Sequence, residues 1–243
     1  MATLKYEDLP GLMGAMVGDE KHSGAAISTL DALWVLYDRV LRVTPAMAED
    51  RDRFFLSKGH GPIAYYAVLA AKGFFDPDEI SRFGSFGSLL GHHPDRMLVP
   101  GAEISSGSLG HGLPLAVGTA LGLRARGLSG PSIWVLVGDG ELDEGSNHEA
   151  IAYAGRAGLD KLNVVVIDND SATHGWPGGI ESRFAVEGWS AARVSTSDHQ
   201  ALEEAFLAAH PGRPGVVVAE YSAVPSDDDR VGRLEPAAQM SLT

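Results

Sequence analysis

Two polar residues near the ends of apolar runs suit the binding of a divalent cation. Asp139 follows the run 133–137 after one glycine, and Asn169 follows the run 164–167 after one aspartate. Both runs are typical of buried strands, whose carboxyl ends bind ligands in open α/β sheets. Carboxylate and amide oxygens are hard donors that suit Mg²⁺, which takes its remaining ligands from phosphates and water. The flanking Gly138 and Gly140 would let the backbone approach a diphosphate closely.

A simpler interpretation is that Gly-Asp-Gly forms only a turn, because Asp-Gly pairs often mark hairpins. A second strand that leads to Asn169, 30 residues after Asp139, favours a ligand site over a plain turn.

Composition restricts the classes of function. The 243 residues fit one α/β domain over 1–243, with a loop or tail from about 222 onward. A net charge of −13 argues against nucleic-acid binding, and no apolar run is long enough to span a membrane. The absence of cysteine excludes disulfides, thiolate catalysis and cysteine-based zinc sites. We therefore expect a soluble cytoplasmic protein.

Periodicity predicts the elements that position these residues. Helical spacing or helix-start signals predict helices over 26–42, 62–72, 112–126 and 198–209, and another from about residue 76. Ser146 and Glu149 form a capping-box pattern that predicts a helix just after Asp139. The run 216–219 predicts a third strand. Alternating strands and helices indicate an α/β fold, a doubly wound parallel sheet with helices on both faces.

The chain resembles the N-terminal, diphosphate-binding part of a transketolase from about Gly24 to about Trp189. Five segments in matching order carry the resemblance: 53–60, 91–94, 107–112, 138–145 and the segment around Asn169. The resemblance implies a thiamine-diphosphate-binding fold with a divalent metal, Mg²⁺ or Ca²⁺. It also implies transfer of a two-carbon ketol unit between sugar phosphates.

The resemblance assigns the site residue by residue. Asp139 and Asn169 would bind the metal through their side chains, and Ser171 through its backbone carbonyl. The residues that would contact the cofactor are His60, Leu109, Gly110, Gly138, Asp139, Gly140, Glu141, Asn169 and Ser171.

Four residues are the catalytic candidates by the same resemblance: His22, His60, His92 and Glu144. The doubled histidine leaves the choice between His92 and His93 open. Histidine titrates near neutral pH and can move protons at a sugar hydroxyl or carbonyl. Glu144 matches a glutamate at the subunit contact that links two active sites.

Departures from the family pattern concern the substrate side. His111 stands where the family has Gln, and His174 where it has Asp; no histidine follows His210. These changes suggest an unusual acceptor for the two-carbon unit.

The second and third domains of a transketolase do not fit in 243 residues. The expected partner is therefore a pyrimidine-binding, C-terminal-like subunit that supplies the catalytic glutamate, and the substrate is a ketose phosphate. One alternative is a pyruvate-dehydrogenase-like subunit that delivers a two-carbon unit to a lipoyl or acyl-carrier domain. Another is a catalytically dead regulatory or binding subunit.

Overall fold

The computed structural model describes residues 4–18 and 23–222, and its centre is a five-stranded parallel sheet. The strand order is β1-β2-β3-β5-β4, and every pair is parallel. The strands are β1 Arg53–Leu56, β2 Ile133–Gly138, β3 Leu162–Asp168, β4 Ser190–Ser195 and β5 Gly215–Glu220. The predicted strands at 133–137, 164–167 and 216–219 are confirmed.

In the described residues, seven α-helices connect and cover these strands. They are α1 Leu9–Ala15, α2 Ser23–Val35, α3 Pro62–Ala71, α4 Gly112–Ala125, α5 Gly145–Arg156, α6 Ile180–Ala185 and α7 His199–Leu207. The predicted helix 26–42 is α2 followed by a π-helical turn, Leu36–Val40. The helix predicted from residue 76 is a short 3₁₀ helix, Pro77–Arg82. None of the described helices has the length and apolar content needed to cross a membrane.

Each face of the sheet packs against its own apolar core, because alternate residues of a strand point to opposite sides. Phe54, Trp134 and Val165 face one apolar core, which α2, α3 and α7 complete. Phe55 and Val135 face the other core, beneath α4, α5 and α6. The predicted doubly wound α/β fold with helices on both faces is confirmed.

The strand register brings the candidate residues to one edge. Leu56 pairs with Leu136 and Gly138 pairs with Ile167. Because the strands are parallel, the residues that follow β1, β2 and β3 emerge at the same carboxyl edge of the sheet.

Further details differ from the sequence-based expectations. Strands β1 and β4 were not predicted: β1 has only four residues, and the residues of β4 alternate between half-buried and exposed positions. The capping box was wrong: α5 begins at Gly145 with Glu144 in the N-cap position, and no side chain caps it. The Ser146 hydroxyl instead donates to the carbonyl of Gly110, 2.6 Å away.

Two expectations concern parts of the chain outside the described residues. His22 is one, and the predicted C-terminal tail, from residue 223 onward, is the other.

Candidate active site

The Asp139 carboxylate joins the turns that follow β2 and β3. Its side chain is 1% exposed and accepts hydrogen bonds from the backbone N–H groups of Ser171, at 2.6 Å, and Ala172, at 3.0 Å. The Ser171 hydroxyl also donates to it. Asp139 therefore fixes the first turn of the loop that carries Asn169 and Ser171.

The Asn169 side chain is oriented by one hydrogen bond and leaves its oxygen unpaired. Its amide nitrogen donates to the Ser28 hydroxyl at 3.3 Å. Its buried Oδ1 atom has no hydrogen-bond partner among the described residues. An unpaired buried acceptor costs about 1–3 kcal/mol, so a bound ligand would stabilise this arrangement.

The third predicted metal ligand, Ser171, lies on the same pair of turns. Its backbone carbonyl oxygen is 3.3 Å from the point that a Cβ on Gly140 would occupy. A carboxylate, an amide oxygen and a backbone carbonyl together form a donor set that fits a hard cation such as Mg²⁺ or Ca²⁺. Within the described parts of the chain, no cluster of three or more His, Cys, Asp or Glu residues could hold a metal.

Glu141 links three of the loops at this edge. Its carboxylate is 3% exposed and accepts the Ser57 hydroxyl, the Gly110 N–H at 3.0 Å and the Gly138 N–H at 3.2 Å. Burial raises the pKa of this carboxyl, while the three hydrogen bonds oppose that effect. On the backbone side, the Glu141 carbonyl accepts the Asn147 amide at 2.7 Å.

Lys58 places a buried positive charge beside these carboxylates. Its side chain is 6% exposed, and its ammonium lies 3.4 Å from the point that a Cβ on Gly138 would occupy. Burial lowers the pKa of Lys58, and the negative charges of Asp139 and Glu141 oppose that change.

Gly110 and Gly112, at the start of α4, must be glycines, because neighbouring side chains leave no room for a Cβ atom. Gly110 has φ +78°, and a Cβ there would lie 2.6 Å from the Ser146 hydroxyl and 2.7 Å from the Glu144 Cβ. Gly112 donates its N–H to the Ser57 hydroxyl at 2.9 Å, and a Cβ there would overlap Ser57.

A second contact joins the loop after β1 to the segment 107–109. A Cβ on Gly59 would lie 3.1 Å from the Gly107 carbonyl and 3.4 Å from the Leu109 side chain. Leu109 is 40% exposed, and His60, the residue after Gly59, is also exposed. The structure thus brings Leu109 next to the His60 turn.

The two adjacent histidines have different neighbours. The His92 ring meets Phe83 edge-on, with ring centroids 5.2 Å apart. The His93 ring covers Gly107, where a Cβ would lie 2.8 Å from the imidazole Cγ. His93 therefore contacts the glycine loop that leads to Leu109 and Gly110.

Several polar residues of this edge were not predicted as site residues. Ser57, Lys58 and Asn147 are nearly or fully buried, and all three approach Glu141 or its hydrogen-bond partners. The position of Ser57 and Lys58, directly after an apolar strand, was the available signal. Asn147 lies inside a helix and gave none.

Comparisons with known proteins show the family to which the chain belongs. The family model described as "Transketolase, thiamine diphosphate binding domain" matches residues 16–221. A protein named "Ferredoxin fas2" from Rhodococcoides fascians is 54% identical over 216 residues, covering 88% of this chain and 71% of that protein. A subunit of the apulose-4-phosphate transketolase of Actinobacillus succinogenes is 35% identical, covering 82% of this chain and 75% of that protein.

A solved transketolase structure shows what share of a longer chain is matched. The transketolase of Campylobacter jejuni superposes with a TM-score of 0.77 at 27% identity, over 88% of this chain and 36% of that one. This chain therefore spans little more than a third of that enzyme. By its family match, its fold and its relatives, the chain belongs to the transketolase family of transferases, as the thiamine diphosphate binding domain.

Proposed function

We propose that this chain is the cofactor-binding subunit of a two-chain enzyme that transfers a two-carbon ketol unit from a ketose phosphate. It would act with thiamine diphosphate and Mg²⁺ or Ca²⁺. One observation carries the proposal: the buried Asp139 carboxylate and the unpaired Asn169 oxygen lie on adjoining turns at the carboxyl edge of the sheet.

In this proposal three oxygen donors hold the metal: the side chains of Asp139 and Asn169 and the carbonyl of Ser171. The metal and the N-terminus of α5 offset the negative charge of the diphosphate. The Gly140 N–H would donate to the diphosphate, and Gly138 and Glu141 would keep this turn in place.

Leu109 and Gly110 border the aminopyrimidine ring in the same proposal. Thiamine diphosphate, when bound, supplies the carbon that accepts the two-carbon unit and stabilises negative charge on it.

Histidines would move the protons of the reaction. The contact between the His60 turn and Leu109 supports His60 as the residue that would act near the reacting carbon of the cofactor. Of the adjacent pair, contact with Gly107 supports His93 rather than His92 as the residue that faces substrate. His22 is retained as a substrate-facing candidate from the resemblance.

Two observations support a partner chain. Relatives that match this chain over most of their own length are named as one subunit of a transketolase. Large apolar side chains in the segment 86–109, which leads into α4, are also exposed, which is typical of surfaces that another protein covers. They are Phe86, Met97, Leu98 and Leu109. Glu144, exposed at the start of α5, would lie at this contact.

The test is reconstitution with a purified pyrimidine-binding second chain. Apulose 4-phosphate is the first donor to supply, because relatives 35% and 36% identical are named for it. We expect turnover only when both chains, thiamine diphosphate and a divalent metal are present. Turnover by this chain alone, or none with its partner and a panel of ketose phosphates, would contradict the proposal; the second result favours a non-catalytic role.

The acceptor is tested in the same assay. His111 and His174, which replace the family's Gln and Asp, are both exposed and motivate an unusual acceptor. A purified lipoyl domain or acyl-carrier protein should then compete with ribose 5-phosphate. Efficient transfer to ribose 5-phosphate alone would remove the reason for a carrier acceptor.

The relative named as a ferredoxin does not suggest an iron–sulfur function here. Iron–sulfur clusters are held mainly by cysteine thiolates. This chain contains no cysteine.

A further inference from the structure

One arginine joins both ends of the loop that carries Asn169 and Ser171. This loop, residues 169–179, runs from the end of β3 to the start of α6. Arg193, on β4, donates from Nη1 to the Asp168 carboxylate at 2.8 Å, next to the start of the loop. Its Nε and Nη2 atoms form a fork on the Glu181 carboxylate, just past the end of the loop.

We propose that Arg193 is a positioning residue: it clamps the two ends of loop 169–179 and thereby holds the oxygen donors of Asn169 and Ser171 in place. The role of the loop in metal binding rests on the proposed function above. The clamp itself rests only on the contacts of Arg193.

The shape of the guanidinium group suits this task. It is planar and offers several N–H donors in fixed directions, so one side chain can hold two carboxylates at once. A lysine ammonium is a compact point charge without that fork. Hydrogen bonding to Arg193 also lowers the pKa of the Glu181 carboxyl, so the carboxylate stays charged to a lower pH than an ordinary glutamate. Glu220 adds a third carboxylate, 3.7 Å from Nη1.

Other contacts hold the middle of the loop independently. The Trp176 ring lies 4.9 Å from the His148 ring and 5.6 Å from the Arg183 guanidinium carbon. Asp139 holds the first turn through Ser171 and Ala172. Loss of Arg193 should therefore loosen the ends of the loop without unfolding the domain.

The clamp predicts a local change in a chain that carries neither metal nor cofactor. Three forms are compared by hydrogen–deuterium exchange with mass spectrometry: wild type, R193K, and the charge-balanced double variant R193M/E181Q. We expect residues 169–179 to exchange roughly tenfold faster in both altered forms, since charge-assisted hydrogen bonds that keep the segment closed are removed.

The matched control is R51M/E103Q. Arg51 forms the same kind of fork on Glu103, at 3.0 and 2.9 Å, but contacts neither end of loop 169–179. In the R51M/E103Q variant, residues 169–179 should exchange at the wild-type rate. Unchanged exchange in R193M/E181Q would overturn the clamp. Exchange in R193K at the wild-type rate would also overturn the clamp. A positive charge without the guanidinium fork would then be enough to hold the loop closed.

A second measurement addresses the metal site. Titration of the assembled complex with thiamine diphosphate and Mg²⁺ should show about tenfold weaker binding in R193K and R193M/E181Q than in R51M/E103Q. Equal affinities would contradict the positioning role. If the loop exchanges faster but no form binds the cofactor, wild type included, the clamp is supported and the proposed function fails.

Discussion

Glu141 is the most constrained acidic residue of the candidate site. It is almost fully buried, yet its two carboxylate oxygens accept one hydroxyl and two backbone N–H groups from separate loops. Each loop therefore depends on the same side chain for a hydrogen bond that water cannot replace.

Glu141→Gln should destabilise the chain. Whichever way the amide is turned, its NH₂ group faces either the Gly110 N–H or the Gly138 N–H, so one donor loses its acceptor. We expect the free energy of unfolding in urea to fall by about 1–3 kcal/mol. The control is Glu149→Gln, at an exposed position of α5. It should change the free energy of unfolding by less than about 0.5 kcal/mol. Equal stabilities of the two variants would show that Glu141 does not join the loops.

The sequence predicted residues of this site unevenly. Asp139 and Asn169 could be found because each lies close to the end of an apolar run, where strand ends bind ligands. Asn147 lies inside a helix and gave no such signal. Ser57 also follows an apolar run, but its hydrogen bond to Glu141 depends on a distant segment. The same holds for Arg193, whose partners lie in three other elements.

At the level of elements, the start of α4 depends on a glycine in a left-handed conformation. Gly110→Ala should destabilise the chain by at least about 1–3 kcal/mol, since φ is +78° and the new Cβ meets Ser146 and Glu144. Gly118→Ala, on the exposed face of α4 with no atom within 4 Å, should stabilise it by up to about 1 kcal/mol. Urea denaturation of this chain alone measures both. If both variants changed the free energy of unfolding in the same direction, this account of the turn would be contradicted.

The Arg193 clamp predicts a dependence on pH at acidic values. The folded-state pKa of Glu181 is lowered, so its contribution to stability is present above the ordinary glutamate value of about 4.3 and is lost as pH falls through the lowered pKa. Glu181→Gln should reduce the unfolding free energy by about 0.5–1 kcal/mol at pH 7, since the pair is partly exposed.

The difference between wild type and Glu181→Gln should shrink as pH falls below about 4.3 and through the lowered pKa of Glu181, because the wild-type side chain then also becomes neutral. A difference that stays constant over this range would contradict the ion pair.

Element prediction succeeded where the hydrophobic pattern was strong and failed where local and tertiary signals competed. The buried strands β2, β3 and β5 were recognised from continuous apolar runs. Strand β4 exposes every second side chain to solvent and was missed. Ser146 fits a capping box in sequence, but its hydroxyl bonds Gly110 because α4 begins beside it.

For the whole molecule, exposed large apolar side chains are found in the segment 86–109, which leads into α4. Phe86 is fully exposed in the segment that leads to His92, and Met97 is 80% exposed. Burial of these side chains against the second chain would stabilise the complex.

Phe86→Asp should therefore weaken association with the second chain by about tenfold or more, without changing the stability of this chain alone. Val186→Asp is the control, because Val186 is 77% exposed but lies beside the amino end of β4, at the opposite edge. Dissociation constants from titration calorimetry decide the question. If Phe86→Asp and Val186→Asp changed the dissociation constant equally, the second chain would not bind at Phe86.

The central claim is that Asp139, Asn169 and Ser171 bind the metal through which thiamine diphosphate is held. Its most direct test is calorimetric titration of the assembled complex with thiamine diphosphate, with Mg²⁺ and with a chelator, for wild type, Asp139→Ala and the neighbouring control Asp143→Ala. We predict Mg²⁺-dependent binding in wild type and Asp143→Ala, and a loss of at least about 100-fold in Asp139→Ala. Mg²⁺-dependent binding of equal affinity in Asp139→Ala would contradict the account.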